Sequence, residues 1–144
     1  MTIKYVTVQQ AHDQQREGAT YIDVRSVLEF RQGHPEGAFN VPLMHGDPAS
    51  RQMSPNAEFL DVIRANFRPD AKLVIGCQMG GRSQHAAEIL ANAGYLDVAN
   101  VLGGYGGAPQ MGHAGWVQSG LPVEQQADAA REYDALHKNT GATR

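Results

Sequence analysis

The chain has 144 residues, of which 42% are hydrophobic and 19% charged, and a net charge of −3. Those values fit one soluble globular domain with an ordinary core, not a disordered chain, and the slightly acidic balance lacks the basic footprint of a nucleic-acid binder. No stretch approaches membrane-spanning length, and the opening Met1-Thr2-Ile3-Lys4-Tyr5 lacks the apolar run of a signal peptide, so a reducing cytoplasm is the expected compartment. The only cysteine, Cys77, excludes an intrachain disulfide. The six histidines show no zinc-site spacing, so neither a metal nor another cofactor is expected.

Taken in order, Lys4 to Thr7 reads as an edge strand and Val8 to Arg16 as a polar helix, ended by Gly18 as a C′ glycine. Thr20-Tyr21-Ile22-Asp23-Val24 is β-branched and aromatic, a buried strand. Asp23 falls at its carboxyl end, where polar groups gather around ligand crevices; its plainer role is to fix Arg25 or a loop N–H. Ser26-Val27-Leu28-Glu29 matches a capping box and starts a short helix ending near Gly33. His34-Pro35-Glu36-Gly37 reads as a turn and Ala38 to Val41 as a brief strand stopped by Pro42. Leu43 to Met53, with Gly46, Pro48 and Ser50, reads as an ordered loop in which His45 is most simply solvated.

Ser54-Pro55 predicts a helix start, N-cap followed by proline at N1, with Phe59, Leu60, Ile63 and Phe67 on one core face. Arg68-Pro69-Asp70 breaks that helix before the strand Lys72 to Ile75. Ser83 to Ala93 is the next predicted helix, packing through Ala87, Ile89, Leu90 and Ala93 and closed by Gly94; Asp97 to Leu102 is a further strand. This alternation predicts an α/β fold, a mainly parallel sheet with helices on both faces.

From the strand Lys72 to Ile75 into the helix Ser83 to Ala93 runs the segment that carries chemistry. Leu73-Val74-Ile75-Gly76-Cys77-Gln78-Met79-Gly80-Gly81-Arg82-Ser83 is an apolar strand, a glycine-containing loop and a helix start. A strand feeding a helix through a tight loop aims several N–H groups at one point, an anion cradle reinforced by the helix dipole. A helix N-terminus and a nearby cation also favour a thiolate, which makes Cys77 a candidate nucleophile; its plain alternative is a small buried hydrophobe. Gly80 and Gly81 let the backbone curl around one atom. Arg82 either binds the anionic end of a donor or is fixed by a carboxylate such as Asp23 or Glu29. Ser83 is most simply the helix N-cap, though its hydroxyl can also face the loop.

Asp23-Val24-Arg25, the segment His34 to Pro42, the Cys77-to-Arg82 loop, Gly103-Gly104 before Trp116, and Gly120-Leu121-Pro122-Val123 together resemble the rhodanese family, over about Lys4 to Val123. The resemblance implies a rhodanese domain over residues 1–123 and a sulfurtransferase that forms a persulfide on Cys77. Gln78, Met79, Gly80, Gly81, Arg82 and Ser83 would hold substrate, with Asp23 and Arg25 supporting. It also implies a small anionic donor such as thiosulfate, with cyanide, a thiol or a sulfur-accepting protein as acceptor; charge and hydropathy argue for no nucleic acid and no membrane partner. Four residues separate Cys77 from Arg82, as in sulfurtransferases of this fold; the related dual-specificity phosphatase arrangement has one more, making room for phosphate. A persulfide carrier or redox sensor with little turnover, and a phosphatase or arsenate-handling enzyme, are the alternatives.

Two segments depart from the family pattern. A glycine-rich insert, residues 105–115, separates the glycine pair from Trp116; Met111 or His113 either covers part of the active-site mouth or the insert faces away. The tail, residues 124–144, predicts a helix from Gln125 to His137 with Ala127, Ala130 and Leu136 as its apolar set, free to pack back, pair or fray. Lys138 to Arg144 is expected to be mobile.

Overall fold

The computed structural model describes residues 2–47 and 49–141. Its strands are β1 (Ile3–Val6), β2 (Thr20–Asp23), β3 (His34–Pro35), β4 (Phe39–Asn40), β5 (Met44–Gly46), β6 (Met53–Pro55), β7 (Lys72–Gly76), β8 (Asp97–Val101) and β9 (Val123–Glu124). Its helices are α1 (Val8–Arg16), α2 (Val27–Gln32), α3 (Phe59–Asn66), α4 (Gly81–Asn92) and α5 (Tyr133–Lys138). Among the described residues, five strands form a parallel sheet in the order β1-β8-β7-β2-β4, with β7 near its middle.

Alternation along each strand builds two cores. Ile22, Leu73, Ile75 and Val98 face one side and pack against Phe59, Val62 and Ile63 of α3 and Ala86, Ala87 and Leu90 of α4. Tyr21, Val74, Ala99 and Val101 face the other, against Val8 and Ala11 of α1, Phe30 of α2 and Trp116. Trp116 is fully buried, edge-on to Tyr21 at 5.5 Å, and its indole N–H donates to Pro122 O at 2.7 Å. Each such large side chain contributes roughly 1.5–3 kcal/mol by leaving water. The α/β expectation holds, with helices on both faces.

The first helices start as their sequences dictate. Thr7 with Gln10, and Ser26 with Glu29, form reciprocal capping boxes at α1 and α2. Four local expectations are corrected. Ser54 and Pro55 do not start a helix: they lie in β6, which pairs antiparallel with β5, so Leu43 to Met53 also contains a strand. Pro48 lies outside the described residues. Helix α3 begins at Phe59, where Asn56 Oδ1 accepts the Glu58 N–H at 3.0 Å. His34–Pro35 is not only a turn, because it pairs with β9 across the chain.

The third and fourth corrections concern α4 and the tail. Helix α4 begins at Gly81 with Gly80, at φ +123°, in the cap position, so Ser83 is not the N-cap. The tail is not one helix: a 3-10 turn at Ala129–Arg131 precedes the short α5. It packs back, with Tyr133 and Leu136 buried in the α3–α4 core, while Ala130 stays exposed. Arg131 helps fasten this path: its guanidinium donates to Glu124 Oε1 at 2.6 Å and Ala38 O at 3.0 Å. Beyond α5, Asn139 donates to Asn66 Oδ1 at 2.6 Å, and residues 142–144 of the segment expected to be mobile lie outside the described residues.

Candidate active site

The carboxyl end of β7 delivers Gly76 and then Cys77 at the top of the sheet, where ligand crevices of such sheets form. Gly76 has no room for a side chain because the Tyr21 hydroxyl fills the space a Cβ would occupy. Gln78, Met79 and Gly80 turn the chain into α4, whose first N–H groups have no intrahelical acceptors. The sulfur of Cys77 is buried but not in an apolar hole: Gly80 N–H donates to Sγ at 3.1 Å, and Ser83 Oγ lies 3.3 Å away. That hydroxyl also lies 2.6 Å from Asn100 Oδ1, on the buried end of β8. Gly80 O, 3.1 Å away, is a further acceptor, so the single Ser83 proton can point to Asn100, to Gly80 or to sulfur.

A second chain segment clamps the loop from outside. Tyr105 N–H donates to Cys77 O at 2.8 Å and Gly106 N–H to Gln78 O at 2.9 Å. Gly104 makes this approach possible: at φ +59° it sits against Cys77 O and Gln78 O, where any Cβ would collide. The glycine-rich run after β8 is therefore packed directly on the catalytic-type loop.

Charge around the loop is closely paired. Arg25 and Asp23 are both almost wholly buried and joined by three guanidinium–carboxylate contacts between 2.8 and 3.1 Å. Burial alone would lower the Arg25 pKa, but the Asp23 charge and hydrogen bonds outweigh it and raise it. Arg25 also donates to Gly33 O at 2.7 Å, lies 4.3 Å over the Tyr105 ring and makes a longer 3.4 Å contact with Gln78 Oε1. Asp23 thus fixes Arg25, and Arg25 supports the loop through Gln78 and Tyr105.

Arg82 takes the carboxylate-bound arrangement of its two possibilities, with Glu29 and not Asp23 as partner: 2.7 Å from Nη1 to Oε1 and 3.0 Å from Nη2 to Oε2. Burial pushes the Glu29 pKa up, but the Arg82 hydrogen bonds and charge, with help from Ser26, hold it down at about 2.

Gly80 and Ser83 therefore converge on the Cys77 sulfur, Gln78 turns its side chain to the Asp23-bound Arg25, Met79 projects outward and Arg82 turns to α2. Sequence reasoning missed Asn100 and the backbone clamp at Gly104, Tyr105 and Gly106. The signal for Asn100 was available: a polar residue at the carboxyl end of an apolar strand, as for Asp23. The clamp had none, because it consists of main-chain groups.

The family model described as rhodanese-like domain matches residues 7–107, most of the chain and all of this loop. The chain is a rhodanese-like domain. Among its relatives, "Thiosulfate sulfurtransferase 16, chloroplastic" of Arabidopsis thaliana is 39% identical over 119 residues, covering 83% of this chain and 91% of that one. "Thiosulfate sulfurtransferase GlpE" of Haemophilus influenzae is 29% identical over 125 residues, covering 86% and 97%. In structure, the rhodanese-like chain is similar to the crystal structure of Rv0390 from M. tuberculosis, with a TM-score of 0.73 and 27% identity, covering 88% of this chain and all of that one. Among the described residues, no helix is long and apolar enough to cross a membrane.

Proposed function

We propose that this rhodanese-like domain is a sulfurtransferase that carries a sulfane sulfur as a persulfide on Cys77. One observation carries the reading: the Cys77 sulfur is the focus of a strand–loop–helix cradle in which Gly80 N–H and Ser83 Oγ face it at 3.1 and 3.3 Å. The names of the relatives, thiosulfate sulfurtransferases, support it.

In the first step the Cys77 thiolate attacks the outer sulfur of thiosulfate; the S–S bond breaks and its electron pair leaves with sulfite, giving Cys77–S–S⁻. In the second, cyanide attacks that outer sulfur and leaves as thiocyanate, and the electron pair returns to Sγ. No net redox change occurs on the protein. The N–H groups of the loop and the α4 N-terminus are in place before reaction, so stabilising the terminal sulfur needs little reorganisation. Because Arg82 and Arg25 are each closed by a carboxylate, anion binding falls to these N–H groups. A donor less charged than thiosulfate is therefore equally suited to the site, and a cytoplasmic setting would keep Cys77 reduced for it.

Steady-state formation of thiocyanate from thiosulfate and cyanide tests the proposal. The expected result is ping-pong kinetics in the wild type and none above background in Cys77→Ala. A sulfur carrier would load but turn over at background rate. Hydrolysis of a phosphate ester without thiocyanate formation would overturn the reading in favour of the phosphatase alternative.

A further inference from the structure

Beside the cysteine loop lies a cleft of about 690 Å³, within the range of small-molecule sites. Met79 and Gly80 of the loop form one wall, Pro109 and Met111 of the glycine-rich insert form the other, and Tyr5 and Leu102 lie at the sheet end. The insert is therefore not turned away from the site. A 3-10 turn at Pro109–Met111, fastened by the Ala108–His113 bridge, holds Met111 at the mouth. Gly80 belongs both to the cleft wall and to the cradle, since its N–H is the donor to Sγ. An occupant of the cleft would thus touch the residue whose N–H holds the sulfur, although Cys77 itself does not line the cleft.

The chemistry of the walls is specific. None of the residues lining the cleft is Asp, Glu, Lys or Arg, and Met79, Met111 and Tyr5 present exposed apolar or aromatic surface to it. The nearest cations of the loop region, Arg82 and Arg25, are held by Glu29 and Asp23. A charged acceptor entering here would meet no carboxylate, lysine or arginine, only His113 and the amides of Gln84, Asn100 and Gln110, whereas an apolar body is matched by adaptable thioethers. The concavity is enclosed by two separate segments, which suits a small molecule better than the flat face of a folded protein.

We propose that this cleft binds the sulfur acceptor, and that the acceptor class is an uncharged organic thiol with an apolar body. The inference rests on the sulfurtransferase reading above. The acceptor sulfur attacks the outer sulfur of Cys77–S–S⁻, and the Sγ–S bond breaks with its electron pair returning to Sγ. The thiol proton passes to the product, so R–SH and Cys77–S–S⁻ become R–S–SH and Cys77–S⁻.

The test uses the full chain with thiosulfate as donor and sulfite release as a readout common to all acceptors, comparing cyanide, glutathione and 2-phenylethanethiol. The expected KM for 2-phenylethanethiol is lower than that for glutathione by about tenfold or more, the scale of apolar pocket discrimination. Met111→Glu is expected to erase most of that advantage, with a much smaller effect on the cyanide KM, and Met111→Leu to retain it. Met111 is highly exposed, so neither change threatens folding. Equal KM values for the two thiols, or a preference that survives Met111→Glu, would overturn the cleft proposal while leaving cyanide turnover intact. Absence of sulfite release with every acceptor would overturn the sulfurtransferase reading and this one with it.

Discussion

The guanidinium of Arg82 and the carboxylate of Glu29 meet in two parallel hydrogen bonds, joining the first turn of α4 to the first turn of α2. Glu29 is at the same time the reciprocal partner of Ser26 in the α2 capping box. One carboxylate thus ties the loop that bears Cys77 to the helix that follows β2, and it offsets the cation that a donor anion would otherwise meet.

That pair gives a pH-dependent stability. The folded-state pKa of Glu29, about 2, lies below its ordinary value near 4.5. A depressed carboxylate stabilises the fold above its unfolded pKa, and the stabilisation is lost as pH falls through the folded value. Glu29→Gln is expected to cost about 1–2 kcal/mol at neutral pH, the partial exposure of the pair moderating the loss. Urea denaturation of both proteins from pH 7 downward should show the difference constant above about pH 5, shrinking toward pH 2. A pH-independent difference would contradict the assignment.

Gly104 is expected to be intolerant of substitution for two reasons that a control can separate. Its φ of +59° is strained for alanine, and the added Cβ would meet the backbone oxygens of Cys77 and Gln78. Gly120, at φ +70°, has open space around it. Gly120→Ala should cost about 1 kcal/mol from backbone strain alone and leave turnover intact. Gly104→Ala should cost more than that and depress kcat, because the loop must shift to relieve the collision. Equal effects of the two on thiocyanate formation would exclude a clamp on the loop.

The buried Asp23–Arg25 pair predicts non-additivity. Asp23→Ala leaves a guanidinium, only 3% exposed, without its counter-charge and should destabilise by about 3–5 kcal/mol. Adding Arg25→Met should recover part of that loss, since the orphaned charge is then gone. Chemical denaturation of the two variants measures this directly, and a double variant less stable than Asp23→Ala would refute it.

Ser83 and Asn100 make a narrower prediction. Ser83→Ala removes the oxygen 3.3 Å from Sγ and leaves Asn100 Oδ1 without its closest donor. The expected cost is about 1–3 kcal/mol in stability, together with a severalfold slower transfer of sulfur to Cys77. Rapid-mixing measurement of sulfite release should show the slowing in the first step, and Ser83→Thr should restore it.

What the sequence reveals of this molecule follows the range of the forces involved. β2, β7 and β8 are legible because each is a short apolar run at the core of a parallel sheet, and the Cys77 loop because cysteine, glycines and arginine crowd one strand-to-helix turn. The partner of Arg82 is less legible: Glu29 and Asp23 both lie within reach of a folded chain, and only packing selects Glu29. Ser54-Pro55 misleads because an N-cap followed by proline is a local signal, whereas the β5–β6 pairing that overrides it is tertiary. The tail misleads similarly. Ala127 and Ala130 suit a helix by propensity, but Arg131 helps fasten the observed path to Glu124 and Ala38, 7 and 93 residues distant in the chain. Asn100 and Gly104 lie outside the loop in sequence and reach it only through the order of β7 and β8.

The central claim, a sulfur atom held on Cys77, is tested most directly by intact mass after a single exposure to thiosulfate. The account predicts a gain of one sulfur, mapped to the peptide containing Cys77, absent from Cys77→Ser and removed by cyanide with stoichiometric thiocyanate. An unchanged mass in the wild type, or a gain that persists in Cys77→Ser, would contradict it.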